Sequence, residues 1–359
     1  MALLRKYQRM NPKVLAVASA TPKNSENTED IIKYVERWIA DQDERTRKRF
    51  IKVFKNARVS KRYSIMNIDE VFTTMTFEER NNIYMERGID LCEEVLVNAL
   101  KKAELQATDI DYIITTSCTG IMIPSVDAYL INRLDMRTDV VRMPITEMGC
   151  AAGVSATIYA NDILKANPGK KVAIVAFESP TATFQTEDYS MTNAVSSAIF
   201  GDGASCMIMG DTNKVRPAVI DTQMYHFRDE LHMMGFALKN SGLHIILDPA
   251  VPNKIEEHFP KIIFPFLEKN NIEVADLGHF IFHPGGKKIV VMVEDLIGKI
   301  GKNIDETKAV LDQFGNMSSA TVLFVMERFL KKEIKKGDYG LMLSFGPGFS
   351  AQTALLRWE

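Results

Sequence analysis

Cys150 stands after Gly149 in the run Met148-Gly149-Cys150-Ala151-Ala152-Gly153, where an apolar, small-residue helix pattern begins. A thiol there faces unpaired backbone N–H groups and the positive end of the helix dipole. Both favour the thiolate, the form that attacks an acyl carbon. Ala151, Ala152 and Gly153 are small enough to let a substrate approach that first turn. His283 lies just past an apolar run, before Pro284-Gly285-Gly286. A His at a strand end can project into the cleft at the carboxyl edge of a sheet. Asn316 follows Gly315, and Phe200 sits in Ile199-Phe200-Gly201-Asp202-Gly203. Each has a plainer reading alone: a buried thiol, an ordinary His, a helix-capping Asn, a core Phe.

Their placement in the chain argues for a joint role. Gly149-Cys150 and Gly315-Asn316 each precede a small-residue helix start that leads to an apolar strand, 171–177 and 339–345. Asp109-Ile110-Asp111-Tyr112-Ile113-Ile114 is echoed by Asp276-Leu277-Gly278-His279-Phe280-Ile281, at the same separation to within one residue. This pattern is that of a diverged internal duplication, with Cys in one half and Asn at the matching place in the other.

The 359 residues suit two fused domains, 1–212 carrying the Cys and 213–359 carrying the His and Asn. A net charge of −2 gives no bulk reason to expect nucleic acid or membrane as a partner. No run of about 18 apolar residues exists to span a bilayer. The start, MALLRKYQRMNPK, does not read as a signal peptide. The four Cys, at 92, 118, 150 and 206, have no metal-ligand spacing, so reduced thiols in a cytoplasm and no metal are expected. Apolar periodicity predicts helices at 28–43, 76–102, 125–134, 150–165, 253–269, 287–300 and 317–335. Strands are expected near 14–19, 110–116, 140–143, 171–177, 204–209, 216–224, 278–283, 339–345 and 350–357. Alternating strands and helices imply an α/β architecture with mostly parallel sheets. The His-, Met- and Gly-containing stretch 226–252 reads as a long irregular loop.

The set of Cys150 in EMGCAAG, Phe200 in IFGDG, His283 in FHPGG and Asn316 in GNMSSAT resembles the type III polyketide synthases, the chalcone synthase-like family. Order, spacing and the closing loop Ser344-Phe345-Gly346-Pro347-Gly348-Phe349 fit it from about Val14 to Trp358. Ser344 replaces a Gly of the plant pattern, and Thr116-Ser117-Cys118-Thr119-Gly120 looks like the bacterial members. The resemblance implies a thiolase-like fold: two duplicated α/β halves in a five-layered αβαβα arrangement. It implies a homodimer that takes CoA thioesters as substrates and needs no cofactor.

The implied chemistry suits these residue types. Cys150 takes an acyl group from an acyl-CoA starter as a thioester. Malonyl-CoA loses CO2, and His283 and Asn316 donate hydrogen bonds to the enolate oxygen. His283 also pairs with the Cys150 thiolate, and Phe200 shields an apolar space that disfavours the carboxylate. The enolate then attacks the acyl-Cys thioester, and the extended chain cyclises beside Gly346, Pro347 and Gly348. Cys118, Thr183 and Ile245 would line the acyl cavity; Ile245 replaces an aromatic gatekeeper of plant members, which favours an aliphatic starter. Arg45 to Arg62 holds nine Lys/Arg and no acid. It reads as a solvated helix face or, by resemblance, as the grip on CoA phosphates through Arg49 and Lys52, with Lys55 near by and Asn56 where the family has Lys. A β-ketoacyl-carrier-protein synthase III, making one condensation, is the nearest alternative. It typically has His-Gln-Ala-Asn where this chain has His283-Pro284-Gly285-Gly286. The likeness fixes neither starter nor product beyond an alkylpyrone or resorcinol-like ring.

Overall fold

A computed structural model describes residues 11–298 and 301–359. The chain start, read above as no signal peptide, and the last two residues of the helix expected at 287–300 lie outside the described residues. The first half runs β1 (Lys13–Ala20), β2 (Asn24–Asn27), α1 (Thr28–Trp38), α2 (Glu44–Asn56), β3 (Lys61–Ser64), α3 (Ile68–Phe72) and α4 (Phe77–Ala103). It continues with β4 (Tyr112–Thr116), α5 (Val126–Arg133), β5 (Val141–Ile145), α6 (Ala152–Ala166), β6 (Val172–Glu178), α7 (Met191–Ile199) and β7 (Gly203–Gly210). The second half runs β8 (Pro217–His226), β9 (Met234–Lys239), β10 (Gly242–Leu247), α8 (Val251–Lys269), β11 (Leu277–Phe282) and α9 (Lys287–Gly298). α10 (Asp305–Phe314), α11 (Thr321–Leu330), β12 (Tyr339–Gly346) and β13 (Ser350–Trp358) complete it.

The main sheet has the order β11-β12-β13-β8-β1-β7-β6-β4-β5. Its two halves meet at a single register pair, Lys13 with Ala218. On either side of that seam the order repeats: β1, β7, β6, β4 in one half and β8, β13, β12, β11 in the other. Strands are parallel only toward the two ends, in β11–β12 and in β6–β4–β5. The expectation of mostly parallel sheets is therefore corrected. Each half folds its last strand, β7 or β13, back antiparallel into the middle.

Period-two alternation along the strands divides the core into three layers of side chains. Ile113, Val175, Phe177 and Ile208 pack outward on α4 with Cys92, Val95 and Leu96. Ile114, Ile174, Met207, Ile281, Met342 and Leu356 point inward on α6 and α11. Phe280, Phe282, Leu341 and Leu343 pack on α8 and α9. The two halves of the one sheet thus alternate with helices, as helix, half-sheet, helix, half-sheet, helix. α4 starts where its sequence says: Thr76 accepts from the Glu79 N–H while Glu79 accepts from the Thr76 N–H, a reciprocal cap.

Several boundaries differ from expectation. The helix from Thr28 stops at Trp38, and the basic segment forms its own helix, α2, capped by Asp43. Residues 226–252 contain the hairpin β9–β10 rather than a featureless loop; its turn ends at Gly242, φ 119°. The α-helix after Cys150 begins only at Ala152, behind a 3-10 turn over Gly149–Ala151. The matching turn Ser318–Ala320 precedes α11, which ends at Leu330.

Candidate active site

The two turns lie against each other. A Cβ on Gly153 would collide with the Ser319 carbonyl, so only glycine lets the two helix starts come this close. Gly315 adopts φ 75°, which swings Asn316 against Phe200. The Asn316 N–H donates to the Ile199 carbonyl at 2.8 Å, and the Gly201 N–H donates to the Asn316 carbonyl at 3.0 Å. Asn316 and Phe200 are therefore locked as a backbone pair.

Cys150, Phe200, His283 and Asn316 all line one cavity of about 470 Å³. The sequence-selected Cys118, Thr183, Ile245 and Pro347 line it as well. The Asn316 side chain is buried and its orientation is determined. Oδ1 accepts from the Ser318 N–H at 2.8 Å, leaving Nδ2 to donate to the Gly285 carbonyl at 3.0 Å. The same Nδ2 lies 4.0 Å from Cys150 Sγ. Gly346 and Pro347 pack against the turn that carries Cys150. A Cβ on Gly346 would stand 2.6 Å from Ala151 Cβ, and one on Gly149 would stand 2.7 Å from Pro347 Cδ. Gly348, φ 116°, turns the chain into β13.

The electrostatics depart from expectation. Burial pushes the Cys150 thiol up to about 11, although bonds from Ser318 and Asn316 pull it down. Burial pushes His283 down to about 3, and neither ring nitrogen has a hydrogen-bond partner. No hydrogen bond joins either His283 ring nitrogen to Cys150 Sγ. Desolvation penalises both charges and opposes the helix-start field that favours the thiolate.

Glu178, which sequence reading passed over, lies against the Cys118 thiol. It accepts from the Cys118 N–H at 3.0 Å, Thr119 Oγ1 at 2.8 Å and Ser319 Oγ at 2.6 Å, with Cys118 Sγ at 3.6 Å. Burial raises its carboxyl, and the carboxyl in turn helps hold the Cys118 thiol well above its ordinary range. Its signal was an acid ending the otherwise apolar strand Val172–Glu178. Thr183 bonds the Pro180 carbonyl at 2.8 Å, and Ile245 sits mid-strand on β10.

The basic residues divide. Phe54 of α2 lines the cavity, whereas Arg49, Lys52 and Lys55 are exposed. Lys52 and Lys55 border a shallow surface groove with Arg47, Lys48 and Asn56, and Arg49 borders neither that groove nor the cavity. No helix among the described residues is long and apolar enough to cross a membrane.

The family model for chalcone and stilbene synthases, N-terminal domain, matches residues 4–213. The model for their C-terminal domain matches residues 221–358. The chain belongs to the chalcone and stilbene synthase family. A phloroglucinol synthase of Pseudomonas fluorescens is 32% identical over 86% of this chain and 88% of its own length. A 1,3,6,8-tetrahydroxynaphthalene synthase of Streptomyces peucetius is 33% identical over 84% of this chain and 82% of its own. The crystal structure of 1,3,6,8-tetrahydroxynaphthalene synthase from Streptomyces coelicolor, a bacterial type III polyketide synthase, superposes with a TM-score of 0.91. It covers 97% of this chain and 99% of that one at 28% identity. The fold is the thiolase-like fold of these synthases, and the protein is a type III polyketide synthase, a condensing acyltransferase.

Proposed function

We propose that Cys150 carries the growing acyl chain and that His283, Asn316 and Phe200 complete the catalytic set. The observation that supports this most is their convergence, from both halves of the chain, on one cavity. As Sγ attacks the thioester of an acyl-CoA, its proton passes to His283 and then to the departing CoA thiol. Malonyl-CoA next loses CO2; the enolate oxygen takes hydrogen bonds from Asn316 Nδ2 and protonated or neutral His283. The enolate carbon attacks the acyl-Cys carbonyl and Sγ leaves, which lengthens the chain by two carbons. Repetition and ring closure beside Gly346, Pro347 and Gly348 give an alkylpyrone or a resorcinol-like product. The relatives' names, phloroglucinol and tetrahydroxynaphthalene synthase, support an aromatic ring as the outcome.

The cavity volume lies within the ordinary range for small-molecule sites, about 300–1,000 Å³. Cys118, Thr183 and Ile245 form an aliphatic, modestly sized wall, which supports a medium or long fatty acyl starter. Each buried methylene contributes roughly 0.8 kcal/mol. Arg49, Lys52 and Lys55 would hold the CoA phosphates on the outer face of α2. The proposed domain boundary is at 212/213, between β7 and β8. We assign the working form as a cytoplasmic homodimer; β5 is an edge strand paired only with β4, and its Val141 is exposed, a surface that a second copy would cover. The test is incubation with malonyl-CoA and a panel of acetyl-, aromatic and fatty acyl-CoAs, with products identified by mass. Fatty acyl-CoA should be preferred, and Ile245→Phe should shift use to shorter starters. Preference for malonyl- or aromatic acyl-CoA over every fatty acyl-CoA would contradict the starter assignment.

A further inference from the structure

Asp202 lies two residues past Phe200, is fully buried, and does not line the cavity. Its carboxylate gathers four donors. Oδ2 accepts from the Ile65 N–H at 2.8 Å, from Ser179 Oγ at 2.9 Å and from Thr181 Oγ1. Oδ1 accepts from the Thr181 N–H at 3.1 Å. The Asp202 N–H donates to the Tyr63 carbonyl at 2.9 Å. A carboxylate taken out of water is tolerated when its lone pairs are filled in this way. Thr181 carries the connection further: its Oγ1 accepts from Ser64 Oγ at 3.2 Å, and its carbonyl accepts from the buried Arg80 guanidinium at 3.4 Å.

What these bonds hold is cavity wall. Ser64 and Met66 flank Ile65, and Pro180, Thr181 and Thr183 form one turn; all five line the cavity. Neither segment is part of the main sheet. We propose that Asp202 is a positioning residue that fixes segment 64–66 against the turn 180–183 and thereby sets which starter acyl groups the cavity accepts. The inference rests on the reading of this cavity as the acyl site.

Asp202→Asn is the sharpest probe because each oxygen position faces a fixed backbone N–H, Ile65 on one side and Thr181 on the other. In either orientation the amide NH2 meets an N–H, and one bond is lost. With dodecanoyl-CoA as starter and malonyl-CoA as extender, Asp202→Asn should raise the starter KM about tenfold, because losing one bond lets the two wall segments shift out of register with the acyl chain. Its kcat and the iodoacetamide alkylation rate of Cys150 should stay within about threefold. Thr181→Val, which keeps shape but removes the hydroxyl, should raise KM in the same direction. Thr181→Ser, which keeps the hydroxyl, should raise it less than Thr181→Val does. Those two variants decide the matter if Asp202→Asn does not fold. A starter KM unchanged in Asp202→Asn and Thr181→Val, or one that rises only together with loss of alkylation, would overturn the proposal. Wild type that forms no product with any acyl-CoA would overturn the functional reading itself, and this inference with it.

Discussion

At the residue scale, burial works against charge on both Cys150 and His283. Legibility here was good for identity and poor for state. Cys150, His283, Asn316 and Phe200 converge as their motifs implied, whereas their protonation depends on burial, which a motif does not encode. His283 and Asn316 are separable by experiment. Loss of one oxyanion donor typically costs about 10²–10³ in rate, so His283→Ala and Asn316→Ala should both depress malonyl-CoA decarboxylation by about that factor. His283→Ala should also slow alkylation of Cys150 by iodoacetamide; equal alkylation rates in wild type and His283→Ala would exclude proton acceptance by His283. The buried imidazole also makes a pH prediction. Its folded value, about 3, is below its ordinary 6.5, so the unfolded chain binds the extra proton between those limits. Its contribution to stability is therefore complete above pH 6.5 and is lost as pH falls toward 3, with a slope of about 1.4 kcal/mol per pH unit. Urea unfolding of wild type and His283→Gln at several pH values between 4 and 7 should show that slope reduced in the variant.

At the element scale, the turns that present the reactive groups depend on glycine where backbone meets backbone. Gly346 is the tightest such place on the closing loop, with Ala151 N and the Met148 carbonyl both 2.7 Å from an added Cβ. Gly346→Ala must therefore displace either the loop or the turn that carries Cys150. The expected result is a loss of at least tenfold in kcat with a clear fall in Tm, whereas Gly169→Ala, with open space around it, should leave kcat unchanged. Element positions were legible where apolar periodicity was long, as in α4 and α8. They were not legible in α3, α7 and α10, which are short or dominated by charge and small polar residues. The hairpin β9–β10 was missed because its strands are six residues each and only half-buried, so alternation is faint.

At the scale of the whole molecule, one site is made by two halves that repeat each other. The echo between Gly149-Cys150 and Gly315-Asn316 was visible in the sequence, and in the fold it becomes two helix starts packed together between two sheets. The antiparallel strands at the seam were not visible, because register across a sheet depends on long-range partners rather than on local pattern. Leu323, fully buried on α11 between the sheets, tests how far that central layer supports the site: Leu323→Ala should cost about 2–5 kcal/mol in denaturant unfolding. The central claim is that the half carrying Cys150 supplies the acyl attachment point and the other half only assists. Brief exposure of the protein to dodecanoyl-CoA without malonyl-CoA, followed by proteolysis and mass mapping, tests it most directly. A dodecanoyl adduct should appear on the peptide containing Cys150 and be absent from Cys150→Ala; an adduct on Cys92, Cys118 or Cys206 in place of Cys150 would contradict it.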